Sequence, residues 1–182
     1  MLTILIDMDG VVADLLDKWL MVYNNRYKDT ITKEQITNWD ASLAAKNCSS
    51  KDFYSIINEP GFFSDLKVIE NSVEVTKRLQ QAGHILYFVT ATPYDSLDAG
   101  FYKSKWVDTY FPHLTRKNVI QTHLKHLVKG DLLLDDSPSN LENFPGLKVV
   151  FNMEYNKNAR VDFRVGNWNE FEKLINSIQA TK

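Results

Sequence analysis

The chain has 182 residues, 44% of them hydrophobic, which suits one domain or one domain carrying a modest insertion. Its net charge of −2 leaves no basic surplus, so a nucleic-acid polymer is not an expected partner. Cys48 is the only cysteine, which excludes an intramolecular disulfide and a thiolate zinc site and fits a reducing, cytoplasmic setting.

The opening run Met1-Leu2-Thr3-Ile4 has no charged n-region, and its apolar stretch stops at Asp7. Neither a signal peptide nor a membrane span is expected there, and no later segment is apolar enough for a bilayer. Leu2–Ile6 is predicted as a buried strand. From about Leu15 to Asp65 the pattern changes. Leu16, Leu20, Tyr23 and Tyr27 keep helical spacing, then polar and aromatic residues follow without a convincing buried strand. A simple crossover needs far fewer residues, so a helical cap over 15–65 is expected, inserted into a core of 1–14 and 66–182. Its aromatics Trp19, Trp39, Phe53, Phe62 and Phe63 either line a pocket or form the cap's own core.

Val75, Leu79 and Ala82 then repeat at helical spacing, and Gly83 reads as a helix stop. Further strands are predicted at Ile85–Val89, Val119–Gln121, Leu132–Leu134 and Lys148–Phe151. Phe171, Leu174, Ile175 and Ile178 predict a last helix. Strands alternating with helices imply an α/β fold, a parallel sheet covered by helices on both faces.

The residues that carry chemistry fall at or just beyond strand ends. Asp7 and Asp9 follow the first strand, Thr90 the second, Lys125 the third, and Asp135 and Asp136 the fourth. A parallel sheet gathers strand C-termini at one edge, where ligands bind. Taken singly, each has a plainer reading: a turn or helix cap for the acids and Thr90, a solvated side chain for Lys125. Together they are what phosphoryl transfer needs. A phosphate dianion repels a carboxylate nucleophile, so a hard cation with oxygen ligands must lie between them, and Mg²⁺ suits that role. Asp7, Asp135 and a backbone carbonyl near Asp9 can supply ligands. Thr90 and Lys125 can hold the remaining phosphate oxygens. One Asp is then phosphorylated and hydrolysed, with Asp9 placed to move protons. No G-x-x-x-x-G-K-[ST] or G-x-G-x-x-G is present. His84, His113, His123 and His126 form no metal-ligand pattern, and Arg116-Lys117 is too short for a basic tract.

Asp7-Met8-Asp9-Gly10-Val11-Val12-Ala13-Asp14, Phe88-Val89-Thr90, Lys125 and Gly130-Asp131-Leu132-Leu133-Leu134-Asp135-Asp136 resemble the four motifs of the haloacid dehalogenase superfamily of phosphohydrolases. The stretch from Thr122 to Asp136 is similar to the 5′(3′)-deoxyribonucleotidase family. So are Lys105-Trp106-Val107, Tyr110-Phe111-Pro112, Phe151-Asn152, and Trp168 with Glu170. The resemblance implies a Rossmann-like sheet and the roles of nucleophile for Asp7 and acid/base for Asp9. It implies phosphate binding by Thr90, Lys125 and either Ala91 or Thr92. It also implies Mg²⁺ on Asp7, Asp9 and Asp135 with support from Asp136. Trp39, Phe62, Phe63 and Lys103 are candidates for the substrate pocket, Lys103 corresponding loosely to a phosphate-site lysine. The implied substrate is a nucleoside monophosphate, preferably of deoxyribose, with no base preference carried over. A phosphatase for another small phosphorylated metabolite and a non-catalytic nucleotide-binding module are the alternatives, and a homodimer is left open.

Overall fold

The computed structural model describes residues 1–180. The β-forming runs read above become six parallel strands: β1 (Thr3–Ile6), β2 (Ile85–Thr90), β3 (Val119–Gln121), β4 (Leu132–Asp135), β5 (Leu147–Phe151) and β6 (Phe163–Val165). They lie in the order β3-β2-β1-β4-β5-β6. β1 is therefore central. Its Ile4 pairs with Leu86 on one side and Leu132 on the other. The sequence pattern finds five of these strands to within a residue at either end. It misses β6, where three residues at the sheet's edge leave Phe163 and Arg164 exposed and so carry no apolar run.

Alternation along the strands splits the core into two faces. Ile4, Ile6, Phe88, Leu134 and Val149 face one side. There they meet α3 (Ser72–Gln81), α4 (Ala99–Tyr110) and α6 (Trp168–Ala180) through Val75, Leu79, Trp106, Phe171 and Ile175. Leu5, Val89, Leu133 and Val150 face the other, covered more thinly by Leu141 of α5 (Pro138–Glu142) and by Phe144. Gly83 follows α3 at φ +87, a left-handed stop that glycine adopts without strain. No helix among the described residues is long and apolar enough to cross a membrane.

Between β1 and α3 the chain makes α1 (Leu15–Tyr27), α2 (Ser50–Ser55) and single 3₁₀ turns, with no named strand. Asp14 caps α1, its carboxylate accepting from the Asp17 amide at 3.3 Å. Trp19 stacks on Phe53 with ring centroids 4.6 Å apart, and Tyr23 meets Phe53 edge-on. These rings form the segment's own centre, continuous with the larger core. The segment leaves and rejoins the sheet at one place: Asp14 N donates to Lys67 O and Ile69 N to Val12 O, both at 2.8 Å.

Candidate active site

Each strand end delivers one part of the site. At the end of β1 the chain turns sharply, with the amides of Val11, Val12 and Ala13 all donating to Met8 O. Gly10 takes φ +75, and a Cβ there would collide with the Asp136 carboxylate, so only glycine fits. The indole of Trp168 on α6 donates to Val11 O at 2.8 Å and holds this loop from behind.

Asp7 Oδ1 accepts from the Met8 amide at 2.7 Å and from Lys125 Nζ at 2.6 Å. Lys125, only 2% exposed, also donates to Asp135 Oδ2 at 2.7 Å. Burial alone would lower its pKa, but Asp135 and Asp7 outweigh burial and raise it above the ordinary lysine value. Asp135 is engaged on both oxygens: Oδ1 takes the Ser137 amide and Asn140 Nδ2, Oδ2 takes Lys125 and Asn140 Nδ2. Burial pushes its pKa up to about 6 against the pull of Lys125.

Asp136 is placed differently. Its Oδ2 accepts from the Tyr155 hydroxyl, and among the described residues nothing donates to Oδ1. Burial, then repulsion from Asp7 and Asp135, raise its pKa well above the carboxylate range. Asp7, Asp135 and Asp136 offer oxygens that all lie within 4.8 Å of one another. Three buried carboxylates this close, all with hard oxygen donors, are compatible with a divalent cation.

Asp9 faces the same space. Its Oδ2 accepts from Lys103 of α4, while Oδ1 is buried without a partner. Burial raises its pKa, Lys103 opposes this, and Asp7 adds to it. Lys103 is 1% exposed and also donates to Thr90 Oγ1 at 2.9 Å and Ala91 O at 2.6 Å. It therefore lies beneath the floor, beside the acid/base candidate, rather than in the pocket wall expected for it. The Thr90 hydroxyl is tied to Lys103 in the same buried cluster, and Ala91 is the residue that reaches the open space.

That space is a cavity of about 530 Å³. Asp7, Asp9, Lys125 and Asp136 form its floor. Leu16, Trp19, Ile36, Trp39, Tyr54 and Ile57 come down from the helical segment, and Met153 and Tyr155 close the β5 side. Trp39 is 58% exposed and lines the cavity as expected. Phe62 and Phe63 do not. Phe62 lies under Lys18, whose Nζ is 4.8 Å from the ring centroid, and buried Phe63 packs on Lys103 at 4.9 Å. Both belong to the packing between the segment and α4, because the two rings sit on a 3₁₀ turn directed inward. The sequence reading missed Ile36, Ile57, Asn140 and Tyr155. None has a motif spacing that marks it. His123 is exposed and stacks on Tyr94 outside the cavity.

The family described as "5′ nucleotidase, deoxy (Pyrimidine), cytosolic type C protein" matches residues 1–182. The chain belongs to this family. It is 38% identical over 174 residues to the 5′(3′)-deoxyribonucleotidase of Bacillus subtilis strain 168, covering 94% of this chain and 97% of the relative. It is 34% identical over 177 residues to the 5′(3′)-deoxyribonucleotidase of Clostridium acetobutylicum, covering 97% and 96%. The resemblance read from the motifs is thus the family the whole chain matches. Among solved structures, a haloacid dehalogenase family hydrolase from Deinococcus radiodurans R1, with bound phosphate and sodium, superposes with a TM-score of 0.62. It covers 96% of this chain and 95% of its own at 9% identity, a likeness of fold alone.

Proposed function

We propose that this deoxyribonucleotidase-family chain is a phosphomonoesterase of the nucleotidase type, acting on deoxyribonucleoside monophosphates with Mg²⁺. The observation that carries the reading is the floor: Asp7, Asp9, Asp136 and Lys125 meet under one apolar-walled cavity. The bulk of the cavity fits a mononucleotide, with the phosphate on the floor and the nucleoside among Leu16, Ile36 and Trp39. Residues 15–65 then act as the cap.

Asp7 and Asp136 are the carboxylates best suited to hold the cation, with the backbone carbonyl of Asp9. Asp135 was the expected ligand, but its oxygens are already taken by Lys125, Asn140 and Ser137. The cation, when bound, offsets the negative charge that these carboxylates and the phosphate bring together. Asp7 attacks phosphorus, an O–P bond forms, and the ester P–O bond breaks. Asp9, with its pKa raised, gives its proton to the departing alkoxide. It then takes a proton from the water that attacks the aspartyl-phosphate, and inorganic phosphate leaves. Lys125 bridges Asp7 and Asp135 and stays charged throughout, so it can also hold a phosphate oxygen. Lys103 fixes Oδ2 of Asp9 and leaves Oδ1 without a protein partner.

Phosphate release from a panel of deoxyribonucleotides and common sugar phosphates, with Mg²⁺ and after exhaustive chelation, tests this reading. Turnover of deoxyribonucleotides that needs the cation, and that Asp7→Asn abolishes with unchanged unfolding, supports it. Full activity after chelation, or near wild-type activity of Asp7→Asn, overturns it.

A further inference from the structure

One side chain on the cavity wall has no part in the steps above. Tyr155 sits on the 3₁₀ turn Glu154–Asn156, between β5 and β6. Its hydroxyl donates to Asp136 Oδ2. Its ring meets Trp39 edge-on, with centroids 5.5 Å apart and planes at 80°. The two contacts link a residue of the floor to a residue of the helical segment.

The turn that carries Tyr155 is firmly held. Asn156 Nδ2 donates to Asp136 O at 2.8 Å and Phe151 O at 2.9 Å, and its Oδ1 accepts from the Met153 amide at 3.0 Å. Arg164 on β6 donates to Asn156 Oδ1 and to Asn156 O, both at 3.0 Å. The phenol is thus presented from a fixed backbone. Asp136 needs such a donor, because it lies against two other carboxylates that push it away. Tyr155 is the one side chain among the described residues that donates to it. By occupying Oδ2, the phenol fixes the carboxylate and leaves Oδ1 without a donor among the described residues, beside the oxygens of Asp7 and Asp135 with which Asp136 clusters.

We propose that Tyr155 is a positioning residue: its hydroxyl aims Asp136 at a divalent cation, and its ring, seated on Trp39, ties that carboxylate to the seating of the helical segment over the cavity. The inference rests on the reading that Asp7 and Asp136 hold the cation. Partners that orient metal ligands from behind typically govern metal affinity by roughly 10–100-fold.

The test is calorimetric titration of Mg²⁺ into the substrate-free protein. It compares wild type, Tyr155→Phe, Trp39→Ala, their double variant and Asp136→Asn, with near-UV circular dichroism of each. Phenylalanine keeps the ring on Trp39 and removes only the donor. Tyr155→Phe is expected to keep the native spectrum and bind Mg²⁺ roughly 10–100-fold more weakly. Its turnover returns at high Mg²⁺, a rescue that a purely structural defect would not show. Trp39→Ala is expected to weaken Mg²⁺ binding in the wild-type background and not in Tyr155→Phe, because the link runs through the hydroxyl. Wild-type Mg²⁺ affinity in Tyr155→Phe, with binding lost in Asp136→Asn, overturns the role of Tyr155 and leaves the cation site standing. Additive effects of the two aromatic substitutions, or none from Trp39→Ala, overturn the link to the helical segment. Wild-type binding by Asp136→Asn overturns the cation assignment itself.

Discussion

Lys125→Met removes one charge from the centre of the site and leaves Asp7 and Asp135 facing each other. Lys125 lies 2.6 Å from Asp7 and 2.7 Å from Asp135. At an effective dielectric constant of about 20, each pair carries a gross attraction of about 6 kcal/mol. Desolvation of three buried ions takes back much of that. Removing one partner of a buried pair typically costs about 3–5 kcal/mol, because the charge left behind has no compensation. With two carboxylates stranded, the upper part of that range is expected, a large share of a domain stability of roughly 5–15 kcal/mol. Urea unfolding of the substrate-free protein at neutral pH measures it. The pH dependence has a definite sign. Burial already holds the folded pKa of Asp135 above its unfolded value, and loss of Lys125, which pulls it down, raises it further, so its ionisation opposes folding more strongly in the variant. Protonation relieves this, and the gap to wild type narrows as pH falls toward about 5. An unchanged urea midpoint at neutral pH, or a gap that widens on acidification, would refute the electrostatic account of this triad.

Four further outcomes are expected. Asp9→Asn should slow hydrolysis of a nucleotide, with its basic alkoxide leaving group, by roughly 10²–10⁴-fold and that of p-nitrophenyl phosphate much less. Where ester cleavage limits turnover, wild-type rates should fall as pH rises through the raised pKa of Asp9, and equal losses on both substrates would remove it as the acid. Trp39→Ala should lower kcat/KM for nucleotides by roughly tenfold or more at unchanged stability, since stacking on a base is worth about 1–3 kcal/mol. Phe63→Ala should instead cost about 3–5 kcal/mol of stability, because the ring is 1% exposed and lies outside the cavity; thermal unfolding beside steady-state kinetics separates the two. Burial pushes the His84 imidazole below its ordinary pKa, so the unfolded chain takes up its proton first. Wild type should therefore lose stability relative to His84→Leu as pH falls below about 6.5, and parallel stability–pH curves for the two proteins would refute this.

The sheet was readable because its central strands are buried on both faces and spell apolar runs, as in Ile4-Leu5-Ile6 and Leu132-Leu133-Leu134. β6 was not, since an exposed edge strand asks little of its side chains. The convergence of Asp7, Asp9, Lys125, Asp135 and Asp136 followed from strand ends alone. What the sequence could not divide was the labour within Asp135-Asp136. Adjacent acids look equivalent in one dimension, and only the bonds from Lys125, Ser137 and Asn140 show that Asp135 is already engaged. The helical segment was the hardest to read. Trp39 and Phe63 are both aromatic and both lie among polar neighbours, yet one lines the cavity and the other packs on Lys103. Tyr155 escaped notice because its partners, Asp136 and Trp39, lie far from it in the chain.

The central place of β1 has a consequence for how the protein is made. During synthesis this strand emerges with both of its edges unpaired. One partner arrives with Leu86, and the other only with Leu132. At about 5–20 residues per second, the ribosome takes on the order of ten seconds to supply that second edge. For that interval Ile4, Leu5 and Ile6 form a sticky template for any passing strand. The helical segment, made next and closed at its base beside Val12 and Lys67, is the first structure at hand to shield the region while the chain waits.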